Sequence, residues 1–236
     1  MSTEIPNGYN GGHTVTSFGS DGGVLAQEYT GIGTSFSPPR LELGRIALRP
    51  VRPLDYEWLF ELETHPLLIH RWRLTGTTPA PDQFQRLLWE KVVAQFLIVE
   101  KATNLRVGLV LMYGLDALNG TAQIAMVAHP KFHRTSLAID GTILFIDYVF
   151  ASWNLRKLYG ESLGFNFGQF AREDNRRMKV ENVFRVEGVL REHSYLGGQF
   201  WDKIITAMYR VDWLREREVL LAEVERLNGG EDTEPQ

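Results

Sequence analysis

Apolar residues show no sustained period through roughly the first forty positions. Gly, Ser, Thr and Asn dominate there (GYNGGHTVTSFGSDGG is typical), and such a stretch buries too little surface to offset its ordering entropy. The pattern predicts a flexible arm over residues 1–44, part of it free to wrap the domain or a second subunit. Organisation begins at Ile46. IALRPV reads as a strand, Pro53 opens a helix running through Leu62, and Pro79 with Asp82 starts another, QFQRLLWEKVVA, whose apolar residues recur at helical spacing. Three strands follow, Gln95 to Glu100, Arg106 to Tyr113 and Thr121 to Ala128. The turn-like ATNL and DALNG separate them, as in an antiparallel meander.

From Leu137 to Ser152, LAIDGTILFIDYVFAS is apolar on most of its circumference, the expectation for a helix packed on a sheet and otherwise covered. Lys157 to Phe165 then reads as a strand. Because a helix intervenes, it is expected to lie parallel to the strand before that helix. A charged segment, Ala171 to Asn182, is a poor helix or a loop. Strands near Phe184 to Tyr195 and Phe200 to Val211 flank Gly197-Gly198, and WLREREVLLAEVERL closes the pattern as an amphipathic helix with Leu220, Val224 and Leu227 on one face. The whole predicts an α/β (α+β) domain over 45–213, a mixed sheet with helices on both faces. A C-terminal amphipathic helix and tail occupy 214–236.

Composition narrows the classes. A chain of 236 residues with 44% hydrophobic content is long enough for one well-buried core, and no apolar run is long enough to cross a bilayer. The absence of cysteine excludes disulfides and thiolate chemistry. A net charge of -4 gives no global attraction to nucleic acid or to an anionic membrane, so a small molecule or a protein is the expected partner. No secretory pattern precedes the domain, and a cytoplasmic location is the default expectation. No Walker loop, Gly-x-Ser-x-Gly elbow or metal-spaced His/Asp/Glu cluster appears, and the basic group Arg172, Arg176, Arg177 and Lys179 reads as a solvated face.

One strand, two helices, a three-stranded meander, a central helix, a parallel strand and a closing hairpin is an order similar to the GNAT acyltransferase fold. More narrowly, the chain resembles the RimJ/RimL branch, which acetylates protein N-termini and, in relatives, small amines. The residues that carry the resemblance are IALRPVRPLDYEWLFEL, the passage AMVAHPKFHR before a helix ending IDYVFASWNLRKLYGE, and FRVEGVLREHSYLGGQFWDKIITAMYRVDW. The resemblance implies an acyl-CoA-dependent N-acyltransferase, most simply an N-acetyltransferase using acetyl-CoA or another acyl-CoA. Its acceptor would be a small-molecule amine or a protein N-terminus, attacking the thioester directly. It also implies where coenzyme A would lie: along Val127 and Ala128, and on the loop before the central helix, His133, Arg134, Thr135, Ser136, Leu137 and Ala138.

That loop departs from the family pattern R/Q-x-x-G-x-G/A, since Arg134 and Ser136 stand where glycines are usual and only the small Ala138 matches. A side chain held in a glycine-type conformation costs roughly 1–3 kcal/mol and would intrude on the phosphate space. Two readings stay open. Lys131, His133 and Arg134 supply charge to an altered cradle, or the loop merely starts a helix with Thr135 or Ser136 as N-cap. Counting back from Phe184, Asn175 falls where the family has a serine that holds the CoA thiol, and it is the candidate donor there.

For the general base the first candidate is Glu161, mid-strand in KLYGESLGF, unless it faces water or pairs with Arg156 or Lys157. The second is His193 in REHSY, whose ordinary pKa suits the task. Glu192 lies beside it, and Ser194 stands where some relatives carry a catalytic Glu. A backbone N–H near Met126 to Ala128 would polarise the carbonyl, and Tyr159 or Tyr195 would protonate the thiolate. The missing glycines motivate an alternative, a GNAT-fold protein that has lost ordinary acetyl-CoA use and binds without catalysis or uses another acyl donor. A third hypothesis makes the arm and C-terminal helix a subunit interface, with a homodimer as its simplest form.

Overall fold

The computed structural model describes residues 38–170 and 183–229. Most of the predicted arm, the charged segment 171–182 and the end of the tail lie outside the described residues. The strands are β1 (Glu42–Leu43), β2 (Ile46–Pro50), β3 (Val92–Glu100), β4 (Leu105–Asp116), β5 (Thr121–Ala128), β6 (Lys157–Leu163), β7 (Phe184–Leu196) and β8 (Gln199–Tyr209). The helices are α1 (Tyr56–Thr64), α2 (Pro81–Leu87), α3 (Leu137–Ser152), α4 (Gly164–Phe170) and α5 (Arg210–Gly229). All eight strands form one sheet in the order β1-β2-β3-β4-β5-β6-β8-β7. Pairing is antiparallel except between β5 and β6, which are parallel because α3 carries the chain back between them.

Alternation along the central strands divides two cores. Phe96 and Ile98 of β3 with Val110 and Met112 of β4 face α3 and α5, while Leu97, Val99, Leu109 and Leu111 face α1 and α2. α3 is apolar around most of its surface since the sheet covers one side and α5 the other, through Leu220, Leu221 and Val224. Gly141 lets α3 sit close on β3: a Cβ at that position would meet Ile98 Cγ2 at 2.5 Å. Among the described residues no helix is long and apolar enough to cross a membrane.

Several boundaries differ from the sequence pattern: Glu42–Leu43, inside the predicted arm, pairs with β2, β3 starts at Val92, β4 runs on to Asp116, and the last helix starts at Arg210. The second helix ends at Leu87, because Lys91 adopts a left-handed φ of 57° and the β-branched pair after it already belongs to β3. The first helix is preceded by a 3-10 turn over Pro53–Asp55. The strand expected to reach Phe165 stops at Leu163, and α4, which the sequence reading lacked, begins at Gly164.

Candidate active site

β5 and β6 pair over only three positions, Thr121 with Lys157, Ala122 with Leu158 and Gln123 with Tyr159. Beyond them β5 continues to Ala128 against β4 alone, and β6 continues to Leu163 against β8 alone. The sheet therefore opens into a notch. Backbone groups alternate sides along a strand, and the His129 N–H donates to Val107 O on the β4 side, so the N–H and C=O of Met126 and Ala128 point into the notch. A half-buried strand edge whose donors and acceptors have no strand partner suits an extended, amide-bearing chain.

The loop from β5 to α3 closes one end of this notch. It is positioned through a chain of contacts that starts at the buried Asp55. The Asp55 carboxylate accepts from both Arg49 Nη atoms at 2.8 and 2.9 Å and from Arg106 Nε at 3.1 Å. Burial opposes its charge, yet these guanidiniums and the Arg52 N–H hold its pKa below the ordinary value. Arg106 lies 5.6 Å from the Trp58 ring, and Trp58 stacks on His129 at 6.2 Å. Partial burial lowers the pKa of His129, with Lys131, His65 and His133 adding repulsion.

Arg134 and Ser136 do not take the left-handed conformation that a glycine pattern implies. The non-glycine residues with positive φ among those described are Thr75, Lys91, Asn104 and Glu192, and Ser136 lies at φ -82, ψ -10. The expected strain is absent, because the loop approaches α3 through ordinary right-handed turns. Neither candidate N-cap bonds in the capping manner either: Thr135 Oγ1 donates to Phe132 O at 2.9 Å and Ser136 Oγ to Asp140 Oδ2 at 3.0 Å. His133 Nε2 lies 3.0 Å from Ala128 O, the carbonyl that faces the notch. Arg134 is exposed beside it, Val127 is buried toward α1 and α2, and Leu137 and Ala138 are buried in the first turn of α3. The edge of β5 thus fits a pantetheine-like chain. For the phosphates the fit rests on the Lys131 and Arg134 cations and on the N-terminus of α3, with Asp140 in its first turn.

The opposite wall lies on the α1 and α2 side of the sheet. Glu161 is there, and its partner is Lys203 of β8 at 3.0 Å rather than Arg156 or Lys157. Arg156 instead reaches Asn119 O at 2.8 Å, and Lys157 bonds both oxygens of Glu187 at 2.9 and 2.8 Å. Tyr113 of β4 shares this face. Burial and the Glu161 carboxylate both raise its pKa, so the phenol stays protonated at neutral pH. Further along, Phe165 of α4 meets Trp201 edge-on at 4.7 Å, and the Arg71 guanidinium lies 5.0 Å from the Phe165 ring.

His193 stands exposed on the edge strand β7, with β8 between it and the strand bearing Glu161. Glu192 beside it is left-handed at φ 47, and its N–H donates to Asp202 at 2.9 Å. Tyr159 lies 4.5 Å under the Lys157 ammonium, and Tyr195 packs on Phe200 at the exposed hairpin. Asn175 lies outside the described residues. The sequence reading missed Tyr113, Arg71, Lys203, Phe165 and Trp201. Only Tyr113 had a local signal, since it continues the Leu109 and Leu111 alternation onto the same face.

Residues 45–171 match the Acetyltransferase (GNAT) domain family. The spermidine N(1)-acetyltransferase of Escherichia coli strain K12 is 20% identical over 179 residues, covering 72% of this chain and 89% of that protein. A spermidine N-acetyltransferase from Vibrio cholerae, solved with CoA and spermine, superposes with a TM-score of 0.62 at 18% identity, covering 72% of this chain and 98% of that one. A GNAT acetyltransferase from Bacillus anthracis gives a TM-score of 0.56 at 16% identity, covering 72% and 97%. With the family match spanning more than half of its residues and the same fold around the split β5–β6 pair, the chain belongs to the GNAT acetyltransferases, N-acetyltransferases that use acetyl-CoA.

Proposed function

We propose that this protein acetylates the primary amine of a small molecule in the notch between β5 and β6, with Glu161 as the general base. The observation that supports this reading is the position of Glu161: it stands on the diverging half of β6, partly exposed, on the face of the sheet it shares with Tyr113. The amine nitrogen forms its bond to the thioester carbonyl carbon as the carbon–sulfur bond breaks. The ammonium proton passes to Glu161, and the departing sulfur takes a proton for which the protonated Tyr113 is the proposed source. The notch-facing N–H of Met126 or Ala128 polarises the carbonyl oxygen. When bound, acetyl-CoA supplies the activated acyl group. Lys131 and Arg134 take over the phosphate contacts that glycine amides make in relatives with the usual loop.

The acceptor class of the relatives makes polyamines the first amines to test. The hairpin sequence FRVEGVLREHSYLGGQFWDKIITAMYRVDW keeps a protein N-terminus, as in the RimJ/RimL branch, in the same panel. A second copy of the chain would pair along β7, an edge strand on which Val186, Val189 and Leu190 are exposed. Mass spectrometry of products from acetyl-CoA and an amine and peptide panel is the direct test. Glu161→Gln is expected to lower kcat/KM by about 100-fold or more, with acetyl-CoA affinity unchanged. An unaltered rate would remove Glu161 as the base.

A further inference from the structure

Resting on that reading of the notch, we infer that its acceptor is an amine that also carries a carboxylate or phosphate, and that Arg71 binds the anionic group. The inference follows from how charge is already paired on the face that receives the acceptor. Glu161 is neutralised by Lys203 at 3.0 Å, and Glu187 by Lys157 at 2.8 Å. The face also holds one arrangement suited to an ammonium, two tyrosine rings beside a carboxylate, and the chain's own lysine fills it. Lys157 Nζ lies 4.5 Å from the Tyr159 ring centre, 5.2 Å from that of Tyr209 and within hydrogen-bond distance of Glu187, which also accepts from the Tyr209 hydroxyl at 2.5 Å. A polycationic acceptor therefore finds Glu187 and its aromatic cage already occupied by Lys157, and shares Glu161 with Lys203.

Arg71 is the opposite case. Its guanidinium is exposed, stacks near Phe165 at 5.0 Å, and has no carboxylate partner among the described residues. The ring covers one side of the planar group, and its N–H groups, with no carboxylate partner among the described residues, suit the bidentate contact that carboxylates and phosphates accept. The location suits an acceptor whose amine is at Glu161. Phe165 begins two residues after the end of β6 and touches Trp201, and Trp201 lies two residues from Lys203 on the same face of β8, about 7 Å away. Glu161, Lys203, Trp201, Phe165 and Arg71 thus form one continuous wall, with a carboxylate at the amine end and, at the other, a guanidinium that has no carboxylate partner among the described residues.

The test uses amines matched except for the anion: an α-amino acid against its amide, phosphoethanolamine against ethanolamine, with spermidine as the polycation. Binding to the full chain is read by ligand-observed NMR and calorimetry, with and without CoA, and acetyl transfer is followed separately. The member of at least one pair that carries the anionic group is expected to bind about tenfold or more tightly than its partner without it, a preference that falls with added salt. The two pairs decide between carboxylate and phosphate. Arg71→Ala, a substitution on an exposed loop, is expected to bring the pair to parity, and Arg71→Lys to restore part of the difference. Parity in the wild type, a preference unchanged in Arg71→Ala, or spermidine as the tightest ligand would overturn the inference, even where transfer to amines lacking an anionic group proceeds. Failure of transfer from acetyl-CoA to every acceptor would overturn the underlying reading instead.

Discussion

Glu63, on α1, shows how burial competes with pairing for a single carboxylate. Arg73 Nε lies 3.1 Å from it, a distance that alone would signal a full ion pair. Glu63 is fully buried and Arg73 largely so, however, and neither carboxylate oxygen has a well-directed hydrogen-bond donor. Burial dominates. It pushes the Glu63 pKa up to about 7 against the opposing pull of Arg73 and Trp72, and burial likewise lowers that of Arg73. The sign of the consequence is fixed by linkage. Between the ordinary value near pH 4.3 and about pH 7 the folded chain holds a proton that the unfolded chain has released, so this group's contribution to stability is lost as pH rises through that window. The loss is on the order of 3 kcal/mol in total. Glu63→Gln removes the titration. Urea unfolding at several pH values is therefore expected to show the stability difference moving toward the variant by that amount between pH 4.5 and 7.5. A difference independent of pH would mean that Glu63 stays ionised in the folded protein.

At the scale of elements, the end of α3 is held by one side chain from the start of α5. Arg210 donates to Phe150 O at 2.9 Å, to Leu155 O at 2.5 Å and to Trp153 O, satisfying carbonyls that a helix end leaves without partners. A second contact, Asp147 of α3 with Arg217 of α5, fastens the same pair of helices. Arg210→Met is expected to cost roughly 3 kcal/mol, and Arg210→Lys to recover little of it, because an ammonium cannot present the guanidinium's spread of donors. Denaturant unfolding of the two variants measures both.

The elements themselves were legible where their periods are local. The helical run Leu137 to Ser152 and the β5 segment Thr121 to Ala128 need only neighbouring residues to be recognised, and both are found at the expected bounds. The second helix was read too long because its apolar spacing continues through Trp89 to Val93, and the left-handed turn at Lys91 has no sequence mark beyond an exposed lysine. Less of the candidate site was legible. Lys203 pairs with Glu161 from forty-two positions further along the chain, and Arg71 meets Phe165 across ninety-four, so no local pattern announces either. Missing glycines imply strain only where φ must be positive, and at Arg134 and Ser136 it is not.

For the molecule as a whole, the consequential feature is that the sheet is continuous in order but narrow at one seam. β1 to β5 form one antiparallel half, β6 to β8 the other, and three residue pairs of β5 and β6 join them within the sheet. The halves are otherwise linked by α3 and α5 packing across them. A chain lying in the notch would pair with the edge of β5 and fill the opening, so its binding free energy adds to the stability of the assembled whole rather than to one element. Acetyl-CoA at 100 times its dissociation constant is expected to stabilise the fold by about 2.7 kcal/mol, which for a domain of this size raises the melting temperature by about 5–10 °C. The location of that stabilisation is testable separately. Hydrogen exchange should slow at the amides of Met126 and Ala128, whose N–H groups face the opening, while amides in the middle of β3, already paired on both sides, change no more than the global stability requires. A rise in melting temperature without added protection at Met126 and Ala128 would place the ligand outside the notch, and no rise with acetyl-CoA or with free CoA would leave the seam without its expected occupant.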